Sequence, residues 1–268
     1  MIEARGLLLD IDGVLTVSWE AIPGAPEAMA ALRDAGVPFA LITNTTTTSR
    51  AEIASHLRRA GIDVADDEIL TAPMATAAYV RRHHPGARCY LLGVDGAATD
   101  MEGVDLVDPA AGSADVVIVA GADEAFTFDN LNRAFRMVLD GAALVAMQRN
   151  LSWREADGMS LDAGAYLMGF EAASGVTAAV AGKPSPDFFQ AGLDLLGMEP
   201  ASVAMIGDDV EYDVLAAQAI GMTGVLVRTG KFRPEHLANA SAEPDVVLDS
   251  IADVPALLAP AGTSAADS

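Results

Sequence analysis

Only one of the 268 residues is cysteine, and only two are lysine. The lone thiol, Cys89, excludes an intrachain disulfide and suits a reducing compartment. Aromatic side chains make up 5% of the chain, so its core must rest on Ala, Val, Leu, Ile and Met, which the overall 51% hydrophobic content supplies. Positive charge is scarce: 16 Lys and Arg against 38 Asp and Glu leave a formal net charge of -22. That excess repels polyanions and argues against nucleic acid or an anionic membrane as a partner. It repels a phosphorylated small molecule too, unless a cation or a cluster of N–H groups reverses the field at the site. Long hydrophobic runs are missing as well. The longest, such as VVIVAGA at 116–122, have strand length, and the opening MIEARGLLLDIDG reads as neither a signal peptide nor a membrane span. The expectation is a soluble, cytoplasmic protein of one large or two modest domains.

What is present is an alternation. Short β-branched and Leu-rich runs, among them LLLDI (7–11), FALIT (39–43), CYLLG (89–93), VVIVAG (116–121), ALVAM (143–147), TAAVAG (177–182), SVAMIG (202–207) and TGVLV (223–227), are separated by longer amphipathic stretches. Helices are expected from 26 to about 35, 49 to 60, 73 to 83 and 129 to 139, the first two stopped by Gly36 and Gly61. This is the rhythm of βα units around a parallel sheet. Residues able to do chemistry fall into two blocks, 10–44 and 183–213, with about a hundred residues of further strands and helices between them. The simplest organisation is one parallel-sheet domain split by an inserted second domain, with boundaries near 78 and 178. The tail 258–268, small and polar, is expected to be disordered.

Four of the strands finish in polar residues: LLLD-I-D, ALIT-N, AVAG-K and MIG-DD. Strand C-termini line the ligand crevice of an open parallel sheet, so Asp10, Asp12, Thr43, Asn44, Lys183, Asp208 and Asp209 are expected on one rim. Several carboxylates gathered without a cation repel one another. A hard cation with oxygen ligands resolves the conflict, and Mg²⁺, which takes a few carboxylates together with phosphate oxygens, suits it best. Strand side chains two apart project the same way, so Asp10 and Asp12 reach one phosphorus if the chain stays extended through Ile11. One carboxylate can then attack while the other carries the proton to and from the leaving oxygen and water. Thr43 and Lys183 would hold the non-bridging oxygens.

The segments DIDGVL (10–15), ITN (42–44), GKPSP (182–186) and GDDVEYD (207–213) resemble the four motifs of the haloacid dehalogenase-like phosphatase superfamily. MIGDDVEYDVLAAQAIGMTGVLVRTGKFRP (205–234) and AGKPSPDFF (181–189) resemble its type IIA branch, and within that the phospholysine phosphohistidine inorganic pyrophosphate phosphatase group. The resemblance runs to about residue 257. It implies a Rossmann-like parallel-sheet α/β core of residues 1–77 and 178–257, with an inserted α/β cap over 78–177. It also implies roles: Asp10 the nucleophile and a metal ligand, Asp12 the acid/base that lends its carbonyl to the metal, Thr43 and Asn44 phosphate-binding, Lys183 the phosphate-binding lysine, and Asp208 the metal-binding carboxylate. Asp209 and Asp213 would support metal or lysine from behind. The pyrophosphate phosphatase group can lack an acid at the position of Asp12; this chain keeps both, which favours ordinary phosphoesters. The cap of such enzymes covers the site and often pairs two subunits, so a small phosphorylated substrate and a homodimer through the cap are the implied partners.

Taken singly, each residue has an ordinary explanation. DxD and Asp208-Asp209 can cap turns or helices, Lys183 can be a solvated loop residue, and Asp213 a surface acid. Their joint occurrence at successive strand ends is what favours phosphoryl chemistry. Competing readings are a phosphotransferase or mutase with the same aspartate nucleophile, and a phospho-Asp receiver. The α/β character of 89–147 counts against the first, and the chain's length and large insert against the second. RNLSWREADGMSLDAG (149–164) is the best candidate for a substrate-facing loop of the insert.

Overall fold

Leu7, Leu8 and Leu9 are fully buried, three consecutive residues of a strand whose side chains alternate between faces. Such a run is buried only where helices cover both faces of its sheet, the condition of parallel α/β structure. The computed structural model describes residues 2–155 and 158–258. Its contacts divide the chain into two units: Met1–Thr43, Ala54–Ile69 and the chain from Gly192 onward in the first, Asn44–Ile53 and Leu70–Ala191 in the second.

The sheet of the first unit runs in the order Val246–Leu248, Thr223–Val227, Val203–Gly207, Gly6–Asp10, Phe39–Thr43, Ile69–Thr71. Strand Gly6–Asp10 lies at its middle, parallel to both neighbours, with Leu9 opposite Ile206 on one side and Asp10 opposite Ile42 on the other. Sequence order reverses on either side of this central strand, which is where an open sheet leaves a crevice at its C-terminal edge. A small hairpin, Thr16–Val17 with Glu20–Ala21, follows the first strand and turns through Ser18 and Trp19, both with positive φ.

The second unit has its own five-stranded parallel sheet, ordered Ala179–Val180, Ala143–Ala146, Val116–Val119, Arg88–Leu92, Asp105–Leu106. Alternation sorts its two faces. Tyr90, Leu92, Val117 and Val119 pack with Met137 and Val138 of helix Phe128–Leu139 and Leu167 and Phe170 of helix Ala163–Ser174. Cys89, Val116 and Ile118 pack on the other side with Ala77 and Val80 of helix Ala72–His83. The architecture is the Rossmann-like α/β arrangement expected, with a second α/β unit, which also gathers residues 44–53, 70–77 and 178–191.

Several expectations change. The run 177–182 contributes only Ala179–Val180 to a strand, because Gly182 and Lys183 leave the ladder. A second hairpin, Ser152–Glu155 with Gly158–Leu161, forms within the stretch 149–164 where a loop was expected, and helix Ala163–Ser174, for which no expectation was made, follows it. Residues 156–157 of that segment, and 259–268 of the expected disordered tail, lie outside the described residues. Among the described residues no helix is long and apolar enough to cross a membrane.

Candidate active site

Asp10 closes the central strand and is buried there. The neighbouring strand Val203–Gly207 delivers Asp208 to the same edge, with 1% of its surface exposed. Asp213 arrives from a wide π-type turn, Val210–Leu215, and is equally buried. Carboxylate oxygens of Asp10, Asp208 and Asp213 all lie within 4.8 Å of one another. Asp209, the fourth acid, caps that turn instead: its Oδ1 accepts the N–H groups of Glu211 at 3.2 Å and Tyr212 at 3.0 Å. The Asp209 N–H donates back to Asp213 Oδ2 at 3.3 Å, which holds the Asp213 carboxylate in place.

Two glycines make room for Asp208. A Cβ on Gly13 would lie 1.9 Å from Asp208 Oδ2, and one on Gly230 would lie 2.0 Å from the same oxygen. Both residues have positive φ, 92° and 57°, which glycine adopts without cost. The Lys231 N–H donates to Asp208 Oδ2 at 2.6 Å, and the Thr229 hydroxyl donates to the Gly13 carbonyl. The segment 229–231 therefore wraps one side of the carboxylate. Sequence reasoning gave it no role, although Gly230 within RTGK was the available signal. Asp213, expected to support metal or lysine from behind, is buried in the cluster, so its ordinary alternative as a solvated surface acid does not hold.

Asp12 is not in the sheet. The strand stops at Asp10, and the chain turns with Leu15 N–H donating to Ile11 O at 2.9 Å and Gly13 N–H to Thr16 O at 2.7 Å. Strand alternation thus does not place Asp12 beside Asp10, as an extended chain through Ile11 would have done. The turn places it, half-buried and bridged to Thr16. Thr43 ends strand Phe39–Thr43 beside Asp10 and is buried.

Within the second unit Asn44 and Lys183 meet. Lys183 N–H donates to Asn44 Oδ1 at 2.8 Å, and Asn44 Nδ2 donates to the Lys183 carbonyl at 3.0 Å. The Lys183 side chain is buried rather than solvated. In the stretch 149–164, Arg149 pairs with Glu171, and Asp162 caps helix Ala163–Ser174 while accepting Ala122 N–H at 3.0 Å. Met159 and Leu161 of its hairpin are exposed.

Two family models match the chain, one described as haloacid dehalogenase-like hydrolase over residues 7–107, the other as HAD-hydrolase-like over 180–254. The human phospholysine phosphohistidine inorganic pyrophosphate phosphatase is 38% identical over 260 residues, covering 95% of this chain and 94% of that protein. The human haloacid dehalogenase-like hydrolase domain-containing protein 2 is 37% identical over 246 residues, 92% of each. Among solved structures, p-nitrophenyl phosphatase from Archaeoglobus fulgidus is similar with a TM-score of 0.87 at 30% identity, covering 95% of this chain and 99% of that one.

Proposed function

Because the chain belongs to the haloacid dehalogenase-like superfamily, in its type IIA branch, and is a phosphatase, we propose that it hydrolyses a small phosphorylated metabolite through an aspartyl-phosphate on Asp10. The observation that carries this reading is the buried convergence of Asp10, Asp208 and Asp213 at the C-terminal edge of a parallel sheet. Residues 1–77 and 178–257 form the hydrolase core in this reading, and the insert 78–177 is the cap that selects the leaving group.

The donor set fits a hard divalent cation: three carboxylates, all buried, with room made for one of them by glycine. Mg²⁺ is the proposed ion, held by Asp10, Asp208 and the Asp12 carbonyl, with Asp209 and Asp213 supporting from behind. When bound, it offsets carboxylate charge and polarises a phosphoryl oxygen. Asp10 then uses a carboxylate oxygen to form a bond to phosphorus as the ester P–O bond breaks. Asp12 gives its proton to the departing oxygen, then takes one from the water that attacks the acyl-phosphate, so phosphate leaves and Asp10 is restored. Thr43 and Lys183 hold the non-bridging oxygens and offset their growing charge. Lys183 is apt because it is one of two lysines in a chain of net charge -22, and it is buried.

The relative named for phospholysine, phosphohistidine and pyrophosphate extends the candidate bonds to P–N and P–O–P. Asp12 ranks phosphate monoesters first, since an alkoxide leaving group needs the proton that Asp12 carries. The test is Mg²⁺-dependent hydrolysis of p-nitrophenyl phosphate and of an alkyl phosphate. Asp10→Asn is expected to abolish both and EDTA to abolish wild-type turnover. Asp12→Ala should slow the alkyl ester by about 100-fold more than the aryl ester, whose leaving group needs no acid. Undiminished turnover by the Asp10→Asn protein would sink the assigned nucleophile.

A further inference from the structure

A side-chain amide that bonds twice to one residue's main chain copies the two-bond pairing of an antiparallel ladder. Asn44 does this to Lys183 across 139 positions of sequence, offering Oδ1 to its N–H and one Nδ2 hydrogen to its carbonyl. The fit is close. A Cβ on Gly182 would lie 2.8 Å from Asn44 Oδ1 and 2.1 Å from the Met147 carbonyl, so the residue before Lys183 has no room for a side chain. Thr46, two residues on, is seated the same way. Its Oγ1 accepts Gly121 N–H at 3.1 Å, and a Cβ there would fall 2.2 Å from that oxygen. Farther along, Arg50 N–H donates to buried Asp100 at 2.9 Å, and Asp100 also accepts the Thr71 hydroxyl at 3.0 Å. The polar segment 44–50 is thus anchored just beyond the ends of strands Ala179–Val180 and Val116–Val119, and again at the end of helix Asp95–Thr99.

Lys183 is 5% exposed. A buried lysine cannot find its target by sweeping through rotamers in water; its ammonium lies where its main chain and packed stem put it. We propose that Asn44 is a positioning residue for Lys183, whose amide fixes the backbone from which the phosphate-binding ammonium projects. The inference rests on the reading of Lys183 as a phosphate ligand given above. It assigns Asn44's Oδ1 and one Nδ2 hydrogen to a task other than touching phosphate.

The experiment is a double-mutant cycle read in kcat/KM for p-nitrophenyl phosphate, whose good leaving group keeps slow variants measurable, and in inhibition by inorganic phosphate. Asn44→Ala should lower kcat/KM by about 10- to 100-fold, the usual effect of a misplaced catalytic group, and weaken phosphate inhibition in parallel. Asn44→Asp keeps the side chain's shape and the acceptor for Lys183 N–H, but turns an acceptor toward the Lys183 carbonyl. It should show the same loss, and is the variant to read if Asn44→Ala does not fold. In a Lys183→Ala background, either change should matter by less than about twofold, because two residues acting through one group are not additive. Equal losses in both backgrounds would mean that Asn44 acts without Lys183; the proposal would fall and the phosphatase reading stand. If Lys183→Ala itself kept wild-type turnover and phosphate inhibition, the phosphate-ligand reading would fall and take the proposal with it.

Discussion

Asp208 shows how a single carboxylate is held in place by residues that lack side chains. Its Oδ2 receives the Lys231 N–H and lies against the Cα positions of Gly13 and Gly230. Alanine at 230 would meet that oxygen at 2.0 Å and the Gly13 Cα at 2.4 Å, and no rotamer relieves a Cβ. The carboxylate or the 229–231 segment must move. Gly36 separates this clash from simple backbone strain, since its φ is also positive, 67°, but nothing lies within 4 Å of a Cβ there. Gly36→Ala should therefore cost about 1 kcal/mol of stability, the price of a left-handed alanine, with no change in metal activation. Gly230→Ala should in addition raise the Mg²⁺ concentration for half-maximal activity by about 10- to 100-fold, the range typical when support of a metal ligand is lost. An Mg²⁺ titration of the two variants decides. Equal curves would mean that Gly230 serves the turn alone.

At the scale of elements, Arg149 and Glu171 tie the end of strand Ala143–Ala146 to helix Ala163–Ser174. The Glu171 carboxylate accepts from both terminal guanidinium nitrogens of Arg149, Nη1 and Nη2, and from the Ala178 N–H, at 2.8 Å for the last. The Arg149 hydrogen bonds hold the Glu171 carboxyl below its ordinary 4.5, against an opposing push from partial burial. A depressed carboxylate contributes stability above its unfolded pKa and loses it as pH falls through the folded one. Glu171→Gln should thus destabilise by about 1 kcal/mol at pH 7, kept modest because a third of Arg149 is exposed. In urea titrations the gap to wild type should close toward pH 3; a constant gap would assign the loss to packing. Helix Ala163–Ser174 also marks what the sequence does not reveal. AGAYLMGFEAAS is apolar around much of its circumference, so no face announces a helix, whereas FALIT and TGVLV are bounded, β-rich runs that became Phe39–Thr43 and Thr223–Val227 as read. Edge strands Asp105–Leu106 and Val246–Leu248 are too short to show a period. The same division holds at the site. Asp10 and Asp208 were legible because they end strands. Asp213 was named only through the resemblance of GDDVEYD, because a π-type turn and not a strand end carries it inward, and the Asn44–Lys183 bonds span too many positions to leave a local trace.

For the whole molecule the dominant fact is the charge of -22, which opposes the approach of a phosphate dianion. Two fields compete. Repulsion from the net charge acts at long range, and attraction by Lys183 and a divalent cation, in the roles proposed for them, is local. Salt separates them by range: the Debye length falls from about 30 Å at 0.01 M to about 8 Å at 0.15 M. The distributed charge is screened out first, while contacts inside a buried site keep most of their strength. With Mg²⁺ saturating throughout, which removes the weaker attraction of Mg²⁺ itself as a variable, kcat/KM for p-nitrophenyl phosphate should rise severalfold over that range of KCl. The rise should lie in KM, because chemistry at a buried carboxylate sees little of the bulk ions. A steady fall would show that positive potential reaches well beyond the site, and that the acidic surface is arranged to leave its mouth uncovered.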